Sequence, residues 1–194
     1  MNYLAHIYLS AEDEQLKIGN FIADSVKGKK YLNYPEKIQK GIILHRSIDS
    51  FTDSHDTVKK SVHRLFPIYG HYSTVIVDIL YDHFLAANWH EYSKIPLPQY
   101  TSAFYQLLKD NFQHLPKRVQ QFLPIMIDKN WLLSYKTIEG IEKILFQMNQ
   151  RTKNRSQMHL AVHELELYYS DFKREFTMFF EELETYTNKK ITQL

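Results

Sequence analysis

Residues 74–89 read TVIVDILYDHFLAANW, a segment that is apolar almost all the way round a helix. Such a helix has no polar side to turn to water, so we expect it to be buried. Elsewhere apolar residues recur mostly at spacings of three and four, and the chain has only 5 Gly and 6 Pro with which to form tight turns. The sequence therefore predicts an all-α fold, a single compact helical domain over residues 1–194.

Hydrophobic periodicity predicts about seven or eight helices. They lie at about 3–10, 15–26, 36–53, 72–89, 99–111, 117–131, 137–150 and 157–186. The last predicted helix has the clearest apolar stripe, formed by Leu160, Leu165, Tyr168, Phe172, Phe176, Phe179 and Leu183. We interpret it as a packing helix.

The composition excludes several classes of protein. Hydrophobic residues make up 44% of the chain, enough for a packed core. There is no cysteine, so any bound metal must use His and carboxylate ligands. The net charge of +2 lacks the basic excess expected of a nucleic-acid-binding protein. No apolar run is long enough to span a membrane and no secretory signal is evident, so we expect a cytoplasmic protein.

Several ionisable residues have apolar neighbours in the predicted helices. They are His6, Asp24, His45, Asp49, Asp78, Asp82 and His83. His45 and Asp49 are four residues apart and share a helix face, as do Asp78 and Asp82. A buried, unpaired carboxylate costs several kcal/mol, so cations, hydrogen bonds or a metal must offset its desolvation. Imidazole and carboxylate without thiolate favour an octahedral ion such as Mn²⁺ or Mg²⁺ over a closed Zn²⁺ site.

Other interpretations of these residues stay open. His45 and Asp49 could form a simple ion pair. Arg151, in NQRTKNRSQ (149–157), favours a solvated connection over a phosphate clamp. Trp131 and Tyr135 are most simply core aromatics.

Four motifs in the first 90 residues resemble the acyl carrier protein phosphodiesterase family of bacteria. They are MNYLAH (1–6), GNFIAD (19–24), HRSIDSFTD (45–53) and DILYDHFLAANW (78–89). Members of that family look like divergent relatives of the HD-domain metal-dependent phosphohydrolases. The resemblance therefore implies an HD-domain-like helical fold.

The resemblance also implies an activity. It is hydrolysis of the phosphodiester between 4′-phosphopantetheine and a serine of holo acyl carrier protein by a metal-activated water, with Mn²⁺ as the expected cofactor and Mg²⁺ or Fe²⁺ as alternatives. The expected metal ligands are Asp24, His45, Asp78, Asp82 and His83. The expected catalytic residues are Asp24, Asp49 and His6. The expected substrate-binding residues are Arg46, Lys27 and Asn20.

The charge distribution agrees with an acidic protein partner such as acyl carrier protein. Residues 27–64 carry nine basic and four acidic residues, whereas the net charge of the whole chain is only +2. A basic surface beside the site would attract an acidic carrier protein.

Two other functions remain open. An HD-type phosphohydrolase could instead act on a nucleotide or another small phosphoester. A non-catalytic helical binding module could use the same His and Asp residues as a structural polar network.

Overall fold

The computed structural model describes residues 1–194 and has twelve α-helices and no strand, which confirms the all-α prediction. The helices are α1 (Tyr3–Tyr8), α2 (Glu14–Ile22), α3 (Glu36–Ser54), α4 (Asp56–Tyr69), α5 (Ser73–Ala87), α6 (Trp89–Tyr92), α7 (Leu97–Asp110), α8 (Lys117–Asp128), α9 (Trp131–Ser134), α10 (Ile138–Arg151), α11 (Ala161–Leu167) and α12 (Tyr169–Gln193). None of them combines the length and the apolar character needed to cross a bilayer.

The number of helices exceeds the predicted seven or eight. The sequence pattern missed α4, which has only four buried residues, Val58, Ser61, Leu65 and Tyr69, and contains Pro67, a residue that disfavours a helix interior. The predicted helix 157–186 is also wrong in its bounds, because the backbone leaves helical geometry at Tyr168 (φ −112°, ψ 24°) and divides α11 from α12. Leu160 is 49% exposed and lies outside the packed stripe.

Helix α5 lies at the centre of the molecule, as its apolar sequence predicts. Eleven of its 15 residues are buried. Tyr81 and Phe84 contact the ring of Phe176 on α12 at centroid distances of 5.6 and 6.0 Å. The buried apolar residues form one continuous cluster of 47 side chains, so the helices share a common core.

Helices α2 and α3 approach each other at backbone distance. A Cβ placed on Gly19 would lie only 2.2 Å from the carbonyl oxygen of Ile38, and one on Gly41 would lie 2.5 Å from that of Leu16. Only glycine allows two helices to come this close. The contact fixes the residues that follow Gly19 against the middle of α3.

Candidate metal centre

The site is formed where α1 and α3 meet, around His6, His45 and Asp49. One ligand atom from each residue lies within 4.8 Å of the others. The Nε2 atom of His6 is 3.2 Å from Asp49 Oδ1, and the Nε2 atom of His45 is 3.1 Å from Asp49 Oδ2. The two imidazoles are stacked, with centroids 4.0 Å apart and planes at 19°. Two imidazole nitrogens therefore converge on one carboxylate.

Asp24 completes the cluster from the 3₁₀ turn Ala23–Ser25 that follows α2. Its Oδ1 is 3.2 Å from His45 Nε2. The Asp24 side chain is 69% exposed, whereas His6 and His45 are buried. A molecule from solvent can thus reach the Asp24 carboxylate and, to a smaller extent, that of Asp49, which is 41% exposed.

Asn20 fixes the orientation of His45. Its Nδ2 donates to the carbonyl oxygen of His6 (2.8 Å) and to Ser10 Oγ (2.9 Å). Its Oδ1 is therefore turned to His45 Nδ1, 3.1 Å away, and can only accept there. His45 therefore keeps a proton on Nδ1, and its Nε2 either donates to Asp24 and Asp49 or, once deprotonated, is free to bind a cation. Asn20, expected to bind substrate, is fully buried and orients this histidine instead.

The pKa values of the two histidines in the cluster are shifted in opposite directions. Burial opposes the charged form of His45, but its hydrogen bonds with Asp24 and Asp49 raise its pKa to about 9. Burial and the neighbouring His45 lower the pKa of His6 to about 4. The hydrogen bond from His45 lowers the pKa of Asp24. At neutral pH and without a cation, His45 is therefore the protonated histidine of the cluster and His6 the neutral one.

These residues fit a divalent cation. His6 is buried, yet neither of its ring nitrogens makes an aligned hydrogen bond. A buried polar atom without a partner is costly, and a cation between the two Nε2 atoms and Asp49 would satisfy it. Two imidazoles with one or two carboxylates form a donor set that suits Mn²⁺ or Fe²⁺.

Asp82, predicted as a metal ligand, belongs to α5, and its carboxylate lies at the beginning of α1. It is not part of the cluster. Its carboxylate accepts from the backbone N–H groups of Asn2 (3.2 Å), Leu4 (2.7 Å) and Ala5 (3.3 Å). The side chain is fully buried, and this burial raises its pKa to about 7. Asp82 satisfies the free N–H groups of α1 and so holds the helix that carries His6.

His83 and Asp78 also lie apart from the cluster. The ring of His83 has both nitrogens engaged, Nδ1 with the carbonyl oxygen of Tyr135 (2.8 Å) and Nε2 with the Tyr169 hydroxyl (3.1 Å). The α-amino group of Met1 donates to Asp78 Oδ1 at 2.8 Å. The sequence pattern predicted that the buried ionisable residues of α5 need partners. For Asp78 and His83 these partners are protein groups and not a metal.

Arg46 and Lys27 were expected to contact the substrate. The Arg46 guanidinium donates to the carbonyl oxygens of Val26 (3.3 Å) and Gly28 (2.9 Å) and lies 5.1 Å from the centre of the Tyr31 ring. Arg46 therefore holds the segment that follows Asp24. Lys27 is exposed in that segment, next to two further exposed lysines.

A cleft of about 290 Å³ opens beside the cluster. Its charged lining consists of Asp24, Asp78, Arg118 and Arg151. Its apolar lining comes from Val75, Trp131, Tyr135, Ile144 and Met148. The sequence pattern did not single out Arg118 and assigned Arg151 to a solvated connection, because α8 and α10 reach the cleft only through the tertiary fold.

The chain is similar to known proteins along almost all of its length. A family model described as acyl carrier protein phosphodiesterase matches residues 1–183. An acyl carrier protein phosphodiesterase of Photorhabdus laumondii is 28% identical over 181 residues, which cover 93% of this chain and 91% of that protein. One of Yersinia pestis is 29% identical, with 93% and 94% covered, and one of Escherichia coli is 25% identical, with 98% and 99% covered. No solved structure matches, so the HD-domain-like architecture stays a prediction.

Proposed function

The chain belongs to the acyl carrier protein phosphodiesterase family, and we propose that it hydrolyses the phosphodiester between 4′-phosphopantetheine and serine in holo acyl carrier protein, using a cation held by His6, His45 and Asp49. The observation that carries the metal part of this proposal is the convergence of two buried imidazoles on Asp49, within 4.8 Å of one another. The metal we propose is Mn²⁺, with Mg²⁺ or Fe²⁺ as alternatives. We expect the protein to act in the cytoplasm.

A bound divalent cation supplies a Lewis acid that acidifies water and offsets the charge of the phosphate. The protein positions the remaining groups. Asn20 holds the Nε2 lone pair of His45 toward the cation, and Asp82 fixes the helix that carries His6. Because His6 is buried, we assign it as a ligand and not as a proton donor to the substrate.

Asp24 is the group we assign to the attacking water. Its carboxylate is exposed at the cleft, and its Oδ1 lies 3.2 Å from His45 Nε2, beside the proposed cation. It can accept a proton from water while the water oxygen bonds to phosphorus. The bond from phosphorus to the seryl oxygen breaks, and that oxygen takes up a proton. The products are the apo carrier protein and 4′-phosphopantetheine.

The carrier protein would approach over the exposed lysines that follow Asp24. Lys27, Lys29 and Lys30 lie within six residues of Asp24 and are all exposed. None of the three is paired with a carboxylate within the protein, unlike Lys37, whose Nζ is 2.7 Å from Asp13. Free surface cations attract an acidic protein over long distances, and salt weakens that attraction.

The test is intact-mass spectrometry of holo acyl carrier protein incubated with this protein and Mn²⁺. We expect loss of the phosphopantetheine mass, and no loss when EDTA is present. A holo carrier that stays intact while bis(p-nitrophenyl) phosphate is hydrolysed would favour the small-phosphoester alternative. An inert protein that binds no metal would favour the binding module.

A further inference from the structure

The cleft beside the metal centre is lined by charged residues of both signs. Asp24 belongs to the metal centre and Asp78 is paired with the Met1 amino group, whereas Arg118, in the first turn of α8, and Arg151, at the end of α10, line the cleft from other helices. Both arginines are exposed. The only side-chain hydrogen bond of Arg151 goes to the Met148 sulfur, 3.6 Å away. Two guanidinium groups therefore face the cleft without a carboxylate partner.

The Tyr3 hydroxyl is close enough to Asp24, Arg118 and Arg151 for all three charges to influence its pKa. Burial raises the pKa of Tyr3, and the Asp24 carboxylate adds to that shift. Arg151 and Arg118 act on the same hydroxyl in the opposite direction. Tyr3, which lines the cleft, is thus within electrostatic reach of both arginines and of the acid at the metal centre.

The wall between the charged groups is apolar and rigid. Trp131 stacks on Phe122 with ring planes at 15° and centroids 5.9 Å apart, and the Arg151 guanidinium lies 5.7 Å from the Trp131 ring. Tyr135 and Met148 extend the same wall. The volume of about 290 Å³ is just below the range of roughly 300–1,000 Å³ for small-molecule sites.

We propose that this cleft binds the prosthetic arm of the substrate, with Arg118 and Arg151 contacting its phosphate and the Trp131 wall contacting the branched apolar part next to it. This inference rests on the proposed function and adds the residues that select the arm. Guanidinium groups bind phosphate oxygens through paired hydrogen bonds. An apolar wall matches the gem-dimethyl group that follows the phosphate in 4′-phosphopantetheine. Hydrolysis converts the diester to a monoester with more negative charge, so the arginines should also retain the product.

Binding can be measured without metal or turnover by the fluorescence of Trp131. The chain has only 2 Trp residues, and Trp89 is buried elsewhere, with its indole donating to the carbonyl oxygen of Ile95. In a Trp89→Phe background, Trp131 becomes the only indole. Titration with 4′-phosphopantetheine should give a saturable change in its emission, and pantetheine, which lacks the phosphate, should bind at least tenfold more weakly.

The arginine variants provide the decisive comparison. The double variant Arg118→Gln, Arg151→Gln should bind 4′-phosphopantetheine at least tenfold more weakly. Its matched control is Lys117→Gln, Arg155→Gln, which removes the same charge from neighbouring residues that do not line the cleft. No change in emission, or equal weakening in both double variants, would overturn the proposal.

The same variants separate this inference from the proposed function. If wild-type protein with Mn²⁺ leaves holo carrier intact, the proposed function fails. If wild type converts holo to apo carrier and the Arg118, Arg151 variant has the KM of its control, only the assignment of the cleft fails. The expected result is conversion by the wild type and a KM raised at least tenfold in the cleft variant alone.

Discussion

Replacing Gly19 with alanine should damage the metal centre through the backbone. The added Cβ would lie 2.2 Å from the Ile38 carbonyl oxygen. Non-bonded atoms need about 3.5 Å, so α2 must move about 1 Å away from α3. The hydrogen bond between Asn20 Oδ1 and His45 Nδ1, now 3.1 Å long, would lengthen to roughly 4 Å and be lost.

The magnitude follows from three effects. Overpacking costs about 1–3 kcal/mol. The lost hydrogen bond leaves buried groups unsatisfied and costs about 1–3 kcal/mol more. Alanine favours the helix over glycine by about 1 kcal/mol. The free energy of unfolding should fall by about 3 kcal/mol, which lowers the Tm of a chain of this size by roughly 6–12 °C.

Calorimetry and Mn²⁺ titration test this reasoning together. Because Asn20 orients a ligand of the cation, Gly19→Ala should weaken Mn²⁺ binding about 10- to 100-fold as well as lower the Tm. Gly140→Ala is the control, since its Cβ would lie 1.8 Å from the Ser134 carbonyl oxygen, away from the cluster. It should lower the Tm and leave the Mn²⁺ affinity unchanged. A Gly19→Ala protein with wild-type Tm and wild-type Mn²⁺ affinity would refute the argument.

Three further predictions concern neighbouring parts of the structure. Asn20→Ala should weaken Mn²⁺ binding about 10- to 100-fold in calorimetric titration; equal binding would show that the His45 tautomer is not fixed there. Arg64→Leu should lower the free energy of urea unfolding by about 1.5–3 kcal/mol, because it removes the two guanidinium hydrogen bonds to the buried Glu175 and leaves that carboxylate only Ser61 and Lys60. Burial would raise the pKa of Glu175, but hydrogen bonds from Arg64 and Ser61 hold it below the usual value, so this carboxylate stabilises the protein above about pH 4.5. That contribution should disappear as the pH falls further, and Glu175→Gln should flatten this part of the stability profile. Reversing the charges in residues 27–30 should reduce kcat/KM for holo carrier at low salt and leave bis(p-nitrophenyl) phosphate hydrolysis unchanged; a parallel loss on both substrates would contradict a docking role.

The sequence predicted the parts of this molecule that depend on local spacing. The apolar run 74–89 indicated a buried helix, and α5 is one. The four-residue spacing of His45 and Asp49 placed them on one face of α3, where their Nε2 and Oδ2 atoms are 3.1 Å apart. Both inferences need only the helical repeat.

The parts that it could not predict depend on contacts between distant segments. Asp82 is a carboxylate in an apolar helix, which is also the pattern expected of a metal ligand. Because it lies opposite the start of α1, it instead accepts hydrogen bonds from the backbone N–H groups there. His83 likewise finds partners on Tyr135 and Tyr169, far along the chain. Arg118 is one of five exposed arginines, and only the fold, which brings α8 to the cleft, distinguishes it. No pattern within a single helix distinguishes these cases.

The most direct test of the account is a calorimetric titration of metal-free protein with Mn²⁺, comparing wild type, Asp49→Asn and His83→Gln. The account predicts that wild type and His83→Gln bind Mn²⁺ with similar affinity and that Asp49→Asn loses binding while keeping its helical circular dichroism. Retained binding by Asp49→Asn together with lost binding by a folded His83→Gln would contradict it and move the metal to α5.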